Sequence, residues 1–186
     1  DVCSSDLVRR YDLKALREKI GFIPQKALLF TGSINENIRY GKHNAVQTEV
    51  EHSAKVAQAY DFITEKPKQF EEMIEEGGGN VSGGQRQRLS IARAVVRKPD
   101  IYIFDDSFSA LDFKTDANLR KQLKYETKDA ITLIVAQRVT SIMDATRIIV
   151  LNEGAVVGIG THRELLKTCS IYHEIALSQL SEEELA

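Results

Sequence analysis

Three short apolar runs constrain the fold of this 186-residue chain more than any other feature of its sequence. They span residues 101–104, 131–136 and 148–151, and they are rich in β-branched residues and nearly continuous rather than alternating. Such strands are typical of parallel sheets, because helices cover both faces of those sheets. Helical stretches such as residues 113–125 lie between the runs, so strands and helices alternate. The pattern therefore predicts an α/β domain with a mostly parallel sheet.

Between about residues 33 and 98 the strand signal gives way to helical, charged sequence, which predicts a helical subdomain inserted into the sheet domain. Capping boxes mark helix starts, because a hydroxyl side chain is followed three residues later by Glu or Gln. Three occur, at Ser33 with Glu36, Ser82 with Gln85, and Thr161 with Glu164. After the third apolar run, the turn at residues 152–154 predicts a short hairpin with residues 155–160.

Composition excludes several classes of function. Lys and Arg number 25 against 27 for Asp and Glu, so the net charge of -2 provides no global basic field for nucleic acid. The two cysteines, Cys3 and Cys169, have no metal-ligand spacing and suit a reducing compartment. No apolar run approaches the roughly 18 residues of a membrane span, so we expect no crossing by this polypeptide. The four histidines are interpreted as surface residues, at positions His43, His52, His162 and His173.

A glycine-rich turn at residues 81–84 opens directly into a predicted helix. Ser82 can cap this helix, and Gly83 and Gly84 let backbone N–H groups approach an anion without side-chain obstruction. The helix dipole adds a favourable potential for negative charge. For Ser-Gly-Gly alone, an ordinary capped helix is the favoured interpretation. The turn therefore predicts a local phosphate site only in combination with other features.

A second feature follows about twenty residues later, where the run at residues 101–104 leads into Asp105 and Asp106. Sheets of α/β proteins place their ligands at the carboxyl ends of strands. A single apolar strand ending in Asp is common and by itself indicates little. The strand follows the glycine-rich turn and precedes Ser-Ala-Leu-Asp, which ends at Asp112, and its interpretation depends on the family pattern that these segments share.

The string Val-Ser-Gly-Gly-Gln-Arg-Gln-Arg-Leu-Ser-Ile-Ala-Arg-Ala, residues 81–94, resembles the signature motif of ABC-type nucleotide-binding domains. Residues 101–106 resemble the Walker B motif of that family, residues 109–112 its D-loop, and Pro24-Gln25 its Q-loop. The resemblance covers roughly residues 13–180 and is closest to bacterial heterodimeric multidrug exporters. It implies a P-loop NTPase-like sheet core with an inserted α-helical subdomain, which is the ABC ATPase domain.

The resemblance also implies ATP and Mg²⁺ as cofactors, with roles for particular residues. Nucleotide binding would fall to Gln25, Ser82, Gly83, Gly84, Gln85 and Asp112, and the magnesium ion to Gln25 and Asp105. Two catalytic positions depart from the family pattern. Asp106 stands where the family has a glutamate base, and Gln137 stands where it has a switch histidine. Both changes together predict an ATP site that binds nucleotide but hydrolyses it poorly.

The Walker A loop and the adenine-stacking aromatic residue of the family do not occur in the sequence, and they would precede Asp12. Residues 1–7 resemble the translation of a common sequencing adapter, and we exclude them from fold reasoning. We therefore expect residues 8–186 to be a partial ABC domain that, alone, binds ATP weakly and has negligible ATPase activity.

The family resemblance implies several partners and no nucleic acid. Its two nucleotides are sandwiched between domains, so we expect a second nucleotide-binding domain, in a heterodimer, and a transmembrane domain fused upstream. The loop around Glu75 and the Q-loop would face that transmembrane domain, at the cytoplasmic face of the plasma (inner) membrane. The signature would complete the partner's catalytic site. Two alternatives remain open, a non-hydrolysing structural ATP-binding subunit and a soluble ABC-type ATPase of chromosome maintenance or translation.

Overall fold

A computed structural model of the chain describes residues 11–181. The chain divides into two compact units, of which the first ends at Val135 and the second begins at Ala136. The strands are β1 (Ile20–Ile23), β2 (Gly32–Ser33), β3 (Met73–Ile74), β4 (Ile101–Asp105), β5 (Ile131–Val135), β6 (Ile148–Asn152) and β7 (Ala155–Gly160). The helices are α1 (Leu13–Glu18), α2 (Ile34–Arg39), α3 (Gln47–Val56), α4 (Tyr60–Thr64), α5 (Gly83–Val95), α6 (Phe113–Glu126), α7 (His162–Thr168) and α8 (Ser170–Leu177). The adapter-like residues 1–7 lie outside the described part.

The first unit contains a three-stranded parallel sheet in the order β1-β4-β5. Its central strand β4 pairs with both neighbours in register, so that Ile103 lies between Phe22 and Leu133. Tyr102 and Phe104 of this strand are almost fully buried, and burial raises the pKa of Tyr102 to about 12. The α/β class and the parallel sheet predicted from the apolar runs are confirmed.

Helices α2 to α5 lie between β1 and β4 in the chain, where the strand signal of the sequence is weak. One small exception is the antiparallel pairing of β2 with β3, two residues each. The predicted capping boxes of α2 and α5 are both present, since Ser33 and Ser82 accept from the backbone N–H groups of Glu36 and Gln85. Helix α5 carries the largest share of core residues, and its buried side chains include Leu89 and other apolar residues along one face.

Two features of the sheet differ from the sequence-based prediction. Strand β5 was expected to be buried on both faces, yet Ile131, Leu133 and Val135 are each half exposed or more. An apolar run shows that burial would be favourable, but a strand is buried only where neighbouring elements pack against it. The third apolar run belongs to β6, which pairs antiparallel with β7 and not with the parallel sheet.

The second unit is built on the predicted hairpin of β6 and β7, followed by α7 and α8. Its turn residues Glu153 and Gly154 both have positive φ, 48° and 80°, as a two-residue type I′ hairpin turn requires. Thr161 and Glu164 form the third predicted capping box. The prediction of a surface histidine is wrong for His162, which is 8% exposed and whose Nδ1 lies 2.8 Å from the Tyr172 hydroxyl.

None of the helices in residues 11–181 combines the length and the hydropathy that a bilayer crossing requires.

Candidate functional site

Gln25 and Asp106 meet at the carboxyl end of the parallel sheet. Gln25 follows β1 by two residues, Asp106 follows β4 directly, and the Gln25 side-chain amide donates to the Asp106 carboxylate at 3.0 Å. Asp106 has a φ of 43°, in the left-handed region that non-glycine residues seldom adopt. Such backbone outliers cluster at functional sites, because the surrounding structure must hold them in place.

The backbone around this pair is held by its neighbours. The Asp106 N–H donates to the carbonyl of Val135 at the end of β5. The next residue, Ser107, is buried and donates its hydroxyl to the carbonyl of Ile23 at the end of β1, at 2.9 Å. Ser109 donates its hydroxyl back to the Asp106 carbonyl. The Asp106 carboxylate is therefore presented at a fixed point between the ends of the three strands.

Asp105 is the last residue of β4 and is partly exposed. A magnesium ion in a phosphate site usually takes one or two protein oxygens and completes its shell with water and phosphate. In the described part of the chain, no group of three or more His, Cys, Asp or Glu side chains could hold a metal by itself. The donor set of one carboxylate, from Asp105, and one amide oxygen, from Gln25, fits a magnesium ion brought with phosphate.

The glycine-rich turn forms the amino-terminal end of α5. The Ser82 hydroxyl accepts from the Gln85 N–H at 3.2 Å, and the Gln85 side chain accepts from the Ser82 N–H at 3.0 Å. A hydroxyl that accepts this bond still has a proton to donate to a phosphate oxygen. Ser82 and Gly83 are exposed, so the end of the helix is accessible to a ligand.

The two glycines of the turn have different roles. A Cβ on Gly83 would meet nothing closer than 3.9 Å, so the fold itself leaves room there for a side chain. A Cβ on Gly84 would lie 3.2 Å from the carbonyl oxygen of Ala110. Gly84 therefore allows α5 to approach the loop at residues 109–112, whereas Gly83 leaves space for a group that comes from outside.

Asp112 ends that loop and caps α6. Its carboxylate accepts from the backbone N–H of Thr115 at 3.0 Å. The hydrogen bonds from the Thr115 hydroxyl and backbone hold the pKa of Asp112 below its ordinary value, so the carboxylate stays ionised at neutral pH. The structure thus brings Ser82, Gly84 and the Asp112 loop to one neighbourhood.

Gln137 lies in the second unit, two residues after the end of β5. Gln137 is exposed, and its backbone carbonyl accepts a hydrogen bond from the side-chain amide of Gln179 at 2.8 Å. Gln179 also accepts from the Val139 N–H, so it holds the segment that follows Gln137.

Three hydrogen bonds that α5 donates to the segment after β1 and to α2 were not predicted from the sequence. Gln87 donates to the carbonyl of Pro24 at 3.1 Å, and Arg93 donates to the carbonyls of Leu28 and Asn37. The available signal was a polar side chain at a core position, since Gln87 lies on the same helical face as buried apolar residues four and seven positions later.

A cavity of about 370 Å³ opens beside this segment, lined in part by Arg17, Leu28, Tyr40, Arg93 and Arg97. Leu28 and Tyr40 are 68% and 57% exposed, which is unusual for apolar and aromatic side chains that lie close together. Within residues 11–181, none of the ion pairs involves any of the three arginines. The cavity is thus both apolar and positively charged.

A parallel sheet with carboxylates at its strand ends, together with a capped glycine turn next to an acidic loop, defines the class of α/β phosphate-binding domains. The sequence model of the ABC transporter family matches residues 2–109, more than half of the sequence. The chain belongs to the ABC transporter family.

Relatives come from bacteria and animals. The uncharacterized ABC transporter ATP-binding protein YfiB of Bacillus subtilis is 44% identical over 170 residues, which cover 91% of this chain and 29% of that protein. The ATP-binding cassette sub-family B member 5 of Mus musculus is 38% identical over 172 residues, covering 92% of this chain and 14% of that protein. The chain therefore spans less than a third of the length of these relatives.

A solved structure of a bacterial Atm1-family ABC exporter with ATP bound superposes with a TM-score of 0.87 at 34% sequence identity. The similarity covers 91% of this chain and 30% of that exporter. The predicted ABC ATPase fold is thus confirmed.

Proposed function

We propose that this chain is the ATP-binding domain of an exporter-type ABC transporter and acts at the cytoplasmic face of the plasma (inner) membrane. The proposal is supported by the similarity to an exporter with ATP bound and by relatives that are ABC transporter ATP-binding proteins. Asp105 and Gln25 would hold the magnesium ion that accompanies ATP. Bound magnesium would neutralise phosphate charge, and the side chains named here would orient the nucleotide.

In this proposal the chain serves two ATP sites in a heterodimer. Ser82, Gly83, Gly84 and Gln85 would contact the phosphates of the nucleotide held by the partner domain. The supporting observation is that Ser82 and Gly83 are exposed at a helix amino terminus with room for an external group. Asp112 would lie at the same interface, because Gly84 packs against its loop.

The chain's own ATP site would be the degenerate one, and Asp106 carries this part of the proposal. An aspartate carboxylate ends about one bond length short of a glutamate carboxylate, and base catalysis tolerates little displacement. One oxygen of Asp106 already accepts from Gln25 at 3.0 Å. Because backbone contacts on both sides fix Asp106, the side chain has little freedom to reach an attacking water.

Gln137 would be the second defect of that site. An amide can donate a hydrogen bond to a phosphate but does not titrate near neutral pH, unlike a histidine. We therefore propose slow hydrolysis at the chain's own site and faster hydrolysis at the site that its signature completes.

The test compares two substitutions in the transporter assembled with its membrane domain and partner. Ser82→Ala should lower ATP turnover by about an order of magnitude or more, as loss of a well-placed phosphate donor does. Asp106→Asn should have a much smaller effect, because it changes the slower site. The matched controls are Ser170→Ala and Asp129→Asn, at exposed residues with no assigned role in either site, and they should leave turnover unchanged. Equal losses from Ser82→Ala and Asp106→Asn would contradict the asymmetric assignment.

We also propose that the cavity beside Tyr40 contacts the membrane domain through a segment with apolar and acidic side chains. Its three arginines, which form no ion pair within residues 11–181, and its exposed Leu28 and Tyr40 support this choice. Arg97→Glu should weaken stimulation of ATP turnover by transported substrate while the domain itself stays folded. Unchanged stimulation would contradict the contact.

A further inference from the structure

Gln87 is a buried polar side chain whose contact reaches across the first unit. It is 2% exposed on the core side of α5, and its amide donates to the carbonyl of Pro24 at 3.1 Å. A buried amide without a partner would cost free energy, so this bond fixes both groups. Because Pro24 has no N–H, its carbonyl is the one backbone group with which it can form a hydrogen bond.

The contact is one of three on consecutive residues at the end of β1. The carbonyl of Ile23 accepts from Ser107, the carbonyl of Pro24 accepts from Gln87, and the side chain of Gln25 donates to Asp106. The first and third contacts bind the segment to the loop after β4. The second contact, from Gln87 to Pro24, binds the segment to α5 at the residue directly before Gln25.

Helix α5 begins at the signature turn, five residues before Gln87. At 1.5 Å per residue, the Ser82 end of the helix lies about 7.5 Å along the axis from Gln87. A hydrogen-bonded helix of 13 residues moves as one body over such a distance. If the glycine-rich turn at residues 81–84, here called the signature turn, is displaced, Gln87 moves with it. Because Gln87 is bonded to the Pro24 carbonyl, the peptide next to Gln25 moves as well.

We propose that Gln87 is a positioning residue that couples the signature turn to Gln25 and, through Gln25, to the Asp106 carboxylate. The proposal rests on the proposed function, since it links the part of the chain that serves the partner's ATP site to the part that serves its own. Gln87 contacts no nucleotide in this scheme. Its role is to set where the Gln25 amide lies.

The first test needs no nucleotide. Gln87→Met keeps the length of the side chain and removes the donor, and Ser90→Ala is the control because Ser90 is also buried and polar on α5. Hydrogen exchange of the full chain, followed by mass spectrometry, reports the backbone amides of β1, which pairs with β4 and directly precedes Pro24. We expect exchange there to be roughly fivefold faster in Gln87→Met and unchanged in Ser90→Ala. Unchanged exchange in Gln87→Met, with circular dichroism showing an intact fold, overturns the proposal.

The second test is a double-mutant cycle in the assembled transporter. Turnover is counted at the chain's own site, with the partner's catalytic base disabled. If Gln87 acts through Gln25, then Gln87→Met should lower this turnover roughly fivefold alone but add little to Gln25→Ala. A merely structural role would give losses that multiply, and that result overturns the proposal. If the wild-type transporter hydrolyses no ATP, the proposed function fails, and the exchange test still decides the role of Gln87.

Discussion

Arg93 joins α5 both to α2 and to the segment that follows β1. Its guanidinium donates to the Asn37 carbonyl, the Asn37 side chain and the Leu28 carbonyl, at 2.8 to 2.9 Å. It also lies over the rings of Phe30 and Tyr40, with centroid distances of 5.1 and 5.7 Å. Replacing Arg93 by Met keeps much of the aliphatic volume and removes all these contacts.

The expected loss of stability follows from these contacts. Three hydrogen bonds contribute about 1 kcal/mol each, and two partly exposed cation–π contacts about 0.5 kcal/mol each. Burial lowers the pKa of Arg93, which shows that burying its charge is unfavourable and offsets part of this sum. We therefore expect Arg93→Met to lower the free energy of unfolding by about 3 kcal/mol.

Urea unfolding followed by circular dichroism is a suitable assay. With a denaturant slope of about 2 kcal/mol per molar urea, the midpoint should fall by about 1.5 M. The control is Arg97→Met, because Arg97 makes a single exposed bond, to the carbonyl of Arg17. Its midpoint should change by no more than about 0.5 M. If the two variants unfold at the same urea concentration, the Arg93 contacts do not stabilise the domain in the way described.

Three further outcomes follow. Asp106→Glu combined with Gln137→His should raise hydrolysis at the chain's own site by more than the sum of the two single-variant effects, because groups acting on one transition state are not additive. This turnover is counted with the partner's catalytic base disabled. Tyr172→Phe should destabilise the second unit by about 1 to 2 kcal/mol, since it leaves the buried His162 Nδ1 without its hydroxyl partner; hydrogen exchange in α7 and α8 measures this. The hydrogen bond from the backbone of Thr161 lowers the pKa of Glu164, so its capping contribution is complete above the ordinary glutamate pKa and is lost as the pH falls through the lower folded-state value. Glu164→Gln should flatten the dependence of the melting temperature on pH in that acid range.

Each of these outcomes has a contrary result. Turnover at background in the doubly restored site would show that Asp106 and Gln137 do not silence it. Tyr125 is 75% exposed, so Tyr125→Phe is a control for Tyr172→Phe, and equal stability of the two variants would contradict the buried pairing. An unchanged pH profile in Glu164→Gln would show that another carboxylate controls acid stability.

Local patterns allowed much of the fold to be predicted. A capping box is decided by residues three apart, and Ser33, Ser82 and Thr161 all cap helices as their sequences indicate. The hairpin was predictable for the same reason, because Glu153 and Gly154 suit a turn with two positive φ angles. The order of the parallel strands depends on contacts between distant residues and needed the structure.

The candidate site was predictable only in part. The motifs that contain Gln25, Asp106 and Ser82 were recognisable, yet the contact between Gln25 and Asp106 joins residues 81 positions apart, and no local pattern specifies it. His162 was misplaced because an isolated histidine carries no sequence signal for burial. Gln87 was overlooked because a polar residue on the core face of a helix acquires meaning only when its partner is known.

Strand β5 also governs how the chain should behave at high concentration. Residues 131–136 contain no charge and no proline, Ile131, Leu133 and Val135 are exposed, and in residues 11–181 the strand is the last of its sheet. An exposed apolar edge of this kind is a template for intermolecular pairing and fibril growth. Preparations of the chain on its own should therefore precipitate or self-associate as they are concentrated, and replacing Leu133 by Lys should raise the solubility limit.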